Sequence, residues 1–480
     1  MDKKVISNYL YNLVYQILAI ALPVFTIPYV SRILGANGIG EYNYINGVVT
    51  YFGIFAALGT VTYAQKEIAC VQDNLYKRSK KFWEIFYIRL ICSFIILIIY
   101  LIFTFIFLQK YRLLLIVNLF MVFSWPIDVS WFFQGIENFK VTAIRNSIVK
   151  IIATLSVFIF VKNEYDVWIY CFIYAFANFV GNLTMIPYLK DQISYVKIKF
   201  KDMSQDIRGI LELFFPVIAV QLYTVLNKIM LGAMSSTLQV GYFSQGNQVI
   251  TMAITVISSL ATVLIPRVAL LFKDNNLKEV RMYIELAISN VFLLGTPMMI
   301  GCFMLSQYFV PAFFGKGYEP VINIMYILSP MFIILGLGSL LGSILIAINR
   351  QKQYTFAVSI AAICNLLLNF IFIKAGYGAE GVAIATLASE LASTIIQMIY
   401  LRDLTHMSIY IKPFLKYMCI SFVIVIIAII AKTFVKNSLV LLVLVILFSI
   451  IGYFSCLFIF KDPIFIQEAT PFISKLGKKK

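Results

Sequence analysis

Fourteen stretches of this chain are apolar for long enough to cross a lipid bilayer, and no other feature of the sequence narrows the fold so far. They run over about 8–34, 41–68, 82–108, 112–136, 140–161, 165–189, 209–234, 240–266, 281–309, 321–348, 353–374, 379–401, 413–435 and 438–460. A helix of about 20 apolar residues spans the hydrocarbon core, and within lipid only helices and closed barrels satisfy every backbone polar group. Hydrophobic residues make up 61% of the 480 and charged residues 13%, with a mean hydropathy of +0.90. Soluble domains carry ~25% charge. The expected fold class is therefore an all-α polytopic membrane protein of about 14 transmembrane helices.

An even number of spans puts both termini on one side. That side holds Lys3, Lys4, Lys77, Arg78, Lys80, Lys81, Lys190, Lys197, Lys199, Lys201, Arg208, Lys273, Lys278, Arg281 and the tail Lys478, Lys479 and Lys480. The opposite loops offer Lys110, Arg112, Lys162, Lys316, Lys374, Lys432 and Lys436. An excess of basic residues in short loops marks the cytoplasm, so both termini are expected there. The net charge of +17 then reflects topology and contact with anionic headgroups. Basic residues scattered over loops exclude a nucleic-acid partner. Seven cysteines form no CxxC pair and no metal spacing, and the one histidine, His406, lies in a predicted cytoplasmic loop. No metal and no cofactor is expected; without a GxxxxGK[ST] motif, neither is ATP hydrolysis.

The second segment carries a polar stripe. Asn43, Asn46, Thr50, Gly53, Ala57, Thr60, Ala64 and Glu67 alternate steps of three and four, so they share one helix face. About 198 residues on, Ser244, Gln248, Thr251, Thr255, Ser258 and Thr262 repeat it in phase. The turn before it repeats as well: Leu34-Gly35-Ala36 with Gly40 and Tyr42, against Leu231-Gly232-Ala233 with Gly241 and Tyr242. Segment 1 has Asn8, Asn12, Gln16, Pro23 and Pro28; segment 7 has Glu212, Pro216, Tyr223, Asn227 and Lys228. Tyr188-Leu189-Lys190-Asp191 and Tyr400-Leu401-Arg402-Asp403 lie 212 residues apart, as do Lys140 and Lys352. Six helices are duplicated in the same order, a parallel repeat. The expected divisions are an N-lobe (1–189, helices 1–6), a cytoplasmic linker (190–208), a C-lobe (209–403, helices 7–12) and a final segment (404–480) with helices 13–14 and a basic tail. Small and hydroxyl residues also let membrane helices pack; amides and hydroxyls on matching faces of both halves point instead to the lining of a passage, with Asn46, Thr50, Gln248 and Thr251 facing it.

In Pro28-Tyr29-Val30-Ser31-Arg32-Ile33-Leu34-Gly35 with Gly38, Gly40 and Tyr42, in Asn227-Lys228-Ile229-Met230-Leu231-Gly232 with Gly241-Tyr242, and in Gln134-Gly135 before Lys140, the chain resembles the polysaccharide-repeat-unit (Wzx-type, O-antigen or capsule) flippases of the multidrug/oligosaccharidyl-lipid/polysaccharide exporter superfamily. Relatives often carry Asp at the position of Asn227, so no acidic role is carried over there. The resemblance implies export of an undecaprenyl-pyrophosphate-linked oligosaccharide from the inner to the outer leaflet of the bacterial cytoplasmic membrane, by alternating access. It also implies membrane lipid, a polymerase and a chain-length regulator as partners of a monomer that is not an enzyme.

Ionised groups inside the bilayer cost ~2.5–3.5 kcal/mol each on insertion scales, so each needs a reason. Arg32 and Lys228 occupy equivalent places in the two halves. A phosphate or pyrophosphate between them would relieve their repulsion, and arginine offers it a fork; the alternative sets both at the outer headgroup level. Arg89 and Lys150 lie deeper and would extend the positive field. Trp125, Asp128 and Trp131, spaced by three, would share a face suited to sugar, unless the tryptophans mark the interface and Asp128 pairs with a cation. Arg145, Glu285 and Lys374 lie close enough to predicted ends to pair or snorkel. A cation-coupled drug antiporter would use Asp128, Glu285 or Glu390 as its ion site. A membrane polymerase or glycosyltransferase would need a large external loop, and the longest, around 309–320, has Glu319 alone.

Overall fold

The computed structural model describes residues 3–435 and 437–466, without the side chains of 3–10, 12–13, 200–201, 205, 212–213, 215–224 and 259–266. The side chains of Asn8, Asn12, Glu212, Pro216, Tyr223 and Thr262 and the whole Lys478–Lys480 tail lie outside what is described. Every regular element among the described residues is a helix, as the bilayer demands of an apolar chain. Nine of these helices are long and apolar enough to cross a membrane, or eleven if each of two bent pairs is one span.

Two compact units divide the chain, Met1–Gly241 and Tyr242–Lys480. The first holds α1 (Lys3–Ala57), α2 (Thr60–Val71), α3 (Leu75–Ile106), α4 (Arg112–Val117), α5 (Leu119–Ile127), α6 (Ser130–Gly135), α7 (Phe139–Phe160), α8 (Val167–Leu183) and α9 (Phe200–Met234). Helix α10 (Thr237–Lys273) begins in it. The second holds the rest of α10, then α11 (Leu277–Phe313), α12 (Pro320–Leu328), α13 (Met331–Ala347), α14 (Gln351–Lys374), α15 (Gly378–Tyr400), α16 (Ser408–Phe434) and α17 (Ser438–Ile459).

Helix α1 carries the first two apolar segments. They join at Gly35, whose φ of 65° and ψ of 175° fall in a region that essentially only glycine enters. Segment 41–68 is broken at Leu58–Gly59, where α1 ends and α2 starts. Segment 112–136 is cut into α4, α5 and α6, with a bend of 42°. Segment 321–348 bends by 43° between α12 and α13. Each stretch reads as one helix in the sequence because apolar composition persists across the break.

In the first unit α1 packs on α7 and α9, α2 on α6, and α5 on α8. The repeated glycines explain how α1 meets the end of α9 and the start of α10. A Cβ on Gly40 would lie 1.7 Å from the Thr237 carbonyl oxygen, and one on Gly241 would lie 2.0 Å from that of Ala36. The contact is reciprocal: each copy of the turn presses its glycine onto the backbone of the other. Gly232 gives room to the Tyr44 ring, and Thr237 Oγ1 donates to Asn37 Oδ1 at 2.8 Å. In the second unit α14 pairs with α15, and α11 packs on α13, α16 and α17.

Candidate functional site

Asp128 breaks the helix it sits on. Its backbone is extended (φ −71°, ψ 108°) at the end of α5, and its Oδ1 accepts from the Ser130 amide at 3.0 Å. A short carboxylate that bonds local backbone competes with the helix, and Pro126 stands two residues before it. Trp125, Asp128 and Trp131 therefore do not form the continuous helical face expected from their spacing. Trp131 is 0% exposed, stacked on Phe82 and set edge-on to Phe132. Trp125 packs on Gly53. Asp128 Oδ2 lies 3.2 Å from Arg89 Nη2, and its Oδ1 lies 4.0 Å from Arg145 Nη2. Arg89 is 3% exposed, and its Nε donates to the Trp125 carbonyl at 2.9 Å. The deep cation and the deep carboxylate thus answer each other, which is the pairing alternative.

Lys150 also has an internal partner. Pro23 has no N–H, so the Ala19 carbonyl one turn earlier loses its helix donor. Lys150 Nζ, on α7, supplies one at 3.2 Å. The same device recurs in the second unit, where Pro297 frees the Leu293 carbonyl and the Tyr453 hydroxyl on α17 donates to it at 2.7 Å. Arg89 and Lys150 are therefore seated in the packing of the first unit, with the charge of Arg89 met by Asp128.

Lys228 differs from both. It sits near the end of α9, half-buried, with its Nζ donating to Asn43 Oδ1 at 2.9 Å. No carboxylate pairs with it among the described residues. Asn43 is itself held by a bond from its Nδ2 to the Ile39 carbonyl at 3.0 Å. Gly47 packs against the Lys228 stem. Arg32 is exposed on α1, three residues before the Gly35 break.

The first polar stripe divides in two. Asn46 and Thr50 are half-buried and make no side-chain hydrogen bond among the described residues. Below them Gly53 meets Trp125, Thr60 bonds the Ala57 carbonyl, and Ala64 is buried in an aromatic core; that end is a packing seam. On α10, Gln248 is half-buried, Thr251 bonds back to the Asn247 and Gln248 carbonyls, and Ser244 is buried with its hydroxyl unpaired. Glu285 is exposed on α11.

Glu390 belongs to a buried polar face of α15 with Thr386, Ser389, Ser393, Thr394 and Gln397. Asn365 of α14 donates to Ser389 Oγ at 3.3 Å, and Thr394 donates to the Ile334 carbonyl at 3.1 Å. The sequence carried a signal for this face, the same alternation of three and four that marks the stripes. A polar cavity of about 410 Å3 in the first unit went unsignalled. It is lined by Asn37, Glu41, Lys110, Tyr111, Glu164 and Trp168, which come from three stretches far apart in the chain. An apolar cavity of about 330 Å3 opens between α11, α16 and α17, beside Tyr453. No group of three or more His, Cys, Asp or Glu among the described residues could hold a metal ion.

Residues 5–272 match the model of a family described as polysaccharide biosynthesis protein. The chain belongs to that family. It is 24% identical over 409 residues to the protein named "Putative O-antigen transporter" of Escherichia coli (strain K12), covering 82% of this chain and 96% of that one. A protein of the same name from Shigella dysenteriae is 22% identical over 378 residues, 77% and 92% of the two chains. Among solved structures, the lipid II flippase MurJ in an inward closed conformation superposes with a TM-score of 0.71 at 17% identity, covering 96% of this chain and 100% of that one. An inward-facing multidrug resistance MATE family transporter of the MOP superfamily gives 0.63 at 16% identity, over 81% and 94%. The fold of this family member is thus that of MurJ and the MATE transporters, and it is a multi-pass membrane protein.

Proposed function

We propose that the protein is a flippase that moves a polyprenyl-pyrophosphate-linked oligosaccharide repeat unit from the inner to the outer leaflet of the bacterial cytoplasmic membrane, for assembly of a surface polysaccharide. The family and the names of its relatives supply the class. The observation that carries the cargo's charge is Lys228, an ammonium within a helix bundle whose described partner is a neutral amide. A cation so placed without a carboxylate is costly, and a passing phosphate would satisfy it. Arg32, in the equivalent place of the first repeat, would add a forked donor for the same group. Asn46, Thr50, Gln248 and Thr251 would meet the sugars. The site would open to each face of the membrane in turn, with both termini in the cytoplasm and a polymerase and a chain-length regulator receiving the product.

A cation-coupled antiporter would rest on a carboxylate as its ion site. Asp128 is held by Arg89, which leaves Glu285, exposed on α11, and Glu390, on the buried polar face of α15, to carry that reading. In proteoliposomes with a fluorescent pyrophosphate-linked sugar, Lys228→Ala is expected to cut flipping at least about tenfold with the protein still folded, because a charge-assisted bond contributes ~1.5–3 kcal/mol. Unchanged flipping would remove the anion role of Lys228.

A further inference from the structure

Helices α7 and α8 leave a furrow between them on the surface of the first unit. It is formed by two cavities, one of about 540 Å3 and one of about 510 Å3, and both are lined by Val149, Ile152 and Val180. The shared walls make it continuous. Its middle and far end are apolar, closed by Phe160, Phe176 and Trp168. Its other end is not: Lys140, Arg145, Thr184 and Tyr188 converge there.

We propose that this furrow holds a long-chain polyprenyl phosphate, its phosphate on Lys140 and Arg145 and its isoprenoid chain along α7 and α8.

Charge selects the head. Lys140 is exposed and rests near the Tyr11 ring. Arg145 donates to the Met185 sulfur at 2.9 Å, and a thioether is a weak acceptor. The nearby carboxylate, Asp128, is 4.0 Å from Arg145 and closer to Arg89. Two cations whose nearest neighbours are an aromatic ring and a thioether, with that carboxylate shared with Arg89, and flanked by a hydroxyl and a phenol, suit a phosphate, which takes several donors at once.

Length selects the chain. From Lys140 to Phe160 the furrow follows α7 for 20 residues, about 30 Å at 1.5 Å per residue. The hydrocarbon core is also about 30 Å thick. An acyl chain of a glycerophospholipid ends near the midplane, so it would fill about half the furrow. One long isoprenoid chain fills all of it. The choice of an isoprenoid among long chains rests on the flippase reading; the site itself does not involve Lys228.

The test uses the full-length protein, purified and delipidated, with native mass spectrometry to count bound lipid. The probes are a long-chain polyprenyl monophosphate, farnesyl phosphate and phosphatidylglycerol. The long polyprenyl phosphate is expected to bind at least about tenfold tighter than either comparator. Lys140→Gln should weaken it about tenfold, one charge-assisted bond's worth. Ser156→Trp, in the far cavity and about 24 Å along α7 from Lys140, should weaken the long chain and leave farnesyl phosphate, whose short chain stops before it, unchanged. Equal binding of phosphatidylglycerol, or indifference to both substitutions, overturns the proposal. Binding is read without transport. A protein that holds the lipid but flips nothing keeps this inference and loses the flippase reading, and the reverse result does the converse.

Discussion

Arg89 and Asp128 stand 39 residues apart in the chain and 3.2 Å apart in space. Removing one partner of a fully buried pair costs about 3–5 kcal/mol, and less here, because Asp128 is half-buried and keeps Arg145 at 4.0 Å. Arg89→Ala is expected to lower the thermal unfolding midpoint. Adding Asp128→Asn to Arg89→Ala should recover most of the loss, because the neutral amide still accepts from Ser130. A double variant no more stable than the single one would mean that Arg89 acts through something other than this carboxylate. The sequence displayed both charges but not their pairing, because Asp128 ends the helix on which its position was being read. A second pair lies at the helix ends of the other unit. Arg350 holds Asp403 through Nη1 to Oδ1 at 2.8 Å and through Nη2 to Oδ2, and also donates to the Tyr400 carbonyl. The Arg350 bond holds the Asp403 carboxyl below its usual range. A depressed carboxyl contributes stability above its unfolded pKa, near ~4, and loses it as pH falls through the folded value. The stability difference between the wild type and Arg350→Gln should be flat from about pH 5 to 8 and shrink below about 4. A difference that grew on acidification would reverse the sign argued here.

Prolines 23 and 297 are visible in the sequence; what caps the carbonyls they release is not, since Lys150 and Tyr453 come from distant helices. The glycines were legible as a repeat, yet their purpose, backbone packed on backbone at Gly40 and Gly241, needed the fold. The cap at Ala19 can be tested by a double-mutant cycle. Lys150→Met leaves that carbonyl without a donor and should cost about 1 kcal/mol, within the ~0.6–1.7 kcal/mol range for hydrogen bonds inside membranes. Pro23→Ala restores the helix N–H, so on that background Lys150→Met should cost close to nothing. Equal costs on both backgrounds would show that Lys150 is not there for the carbonyl.

At the level of the whole chain, the repeat and the packing draw different boundaries. The repeat expected from the sequence would start a second half at residue 209, whereas the first compact unit runs to Gly241. The reason lies in α9 and the turn after it: Lys228 bonds Asn43, Thr237 bonds Asn37, and Gly232 and Gly241 admit α1 at contact distance. A pattern of similar residues cannot see that seam. The proposed anionic cargo makes a prediction at this same scale. With the inside negative, each negative charge moved outward gains ~2.3 kcal/mol per 100 mV, so a pyrophosphate diester with roughly two charges gains ~4.6 kcal/mol. If the head group crosses uncompensated, a potassium-diffusion potential imposed on proteoliposomes should drive labelled lipid to the positive side well beyond an even split. Reversing the potential should reverse the distribution, whichever way the protein is inserted, because the equilibrium depends on the cargo's charge alone. A distribution that stays even at every potential would mean that a compensating charge crosses with each head group. The positive site would then serve to bind the cargo, and the driving force would have to come from the accompanying ion.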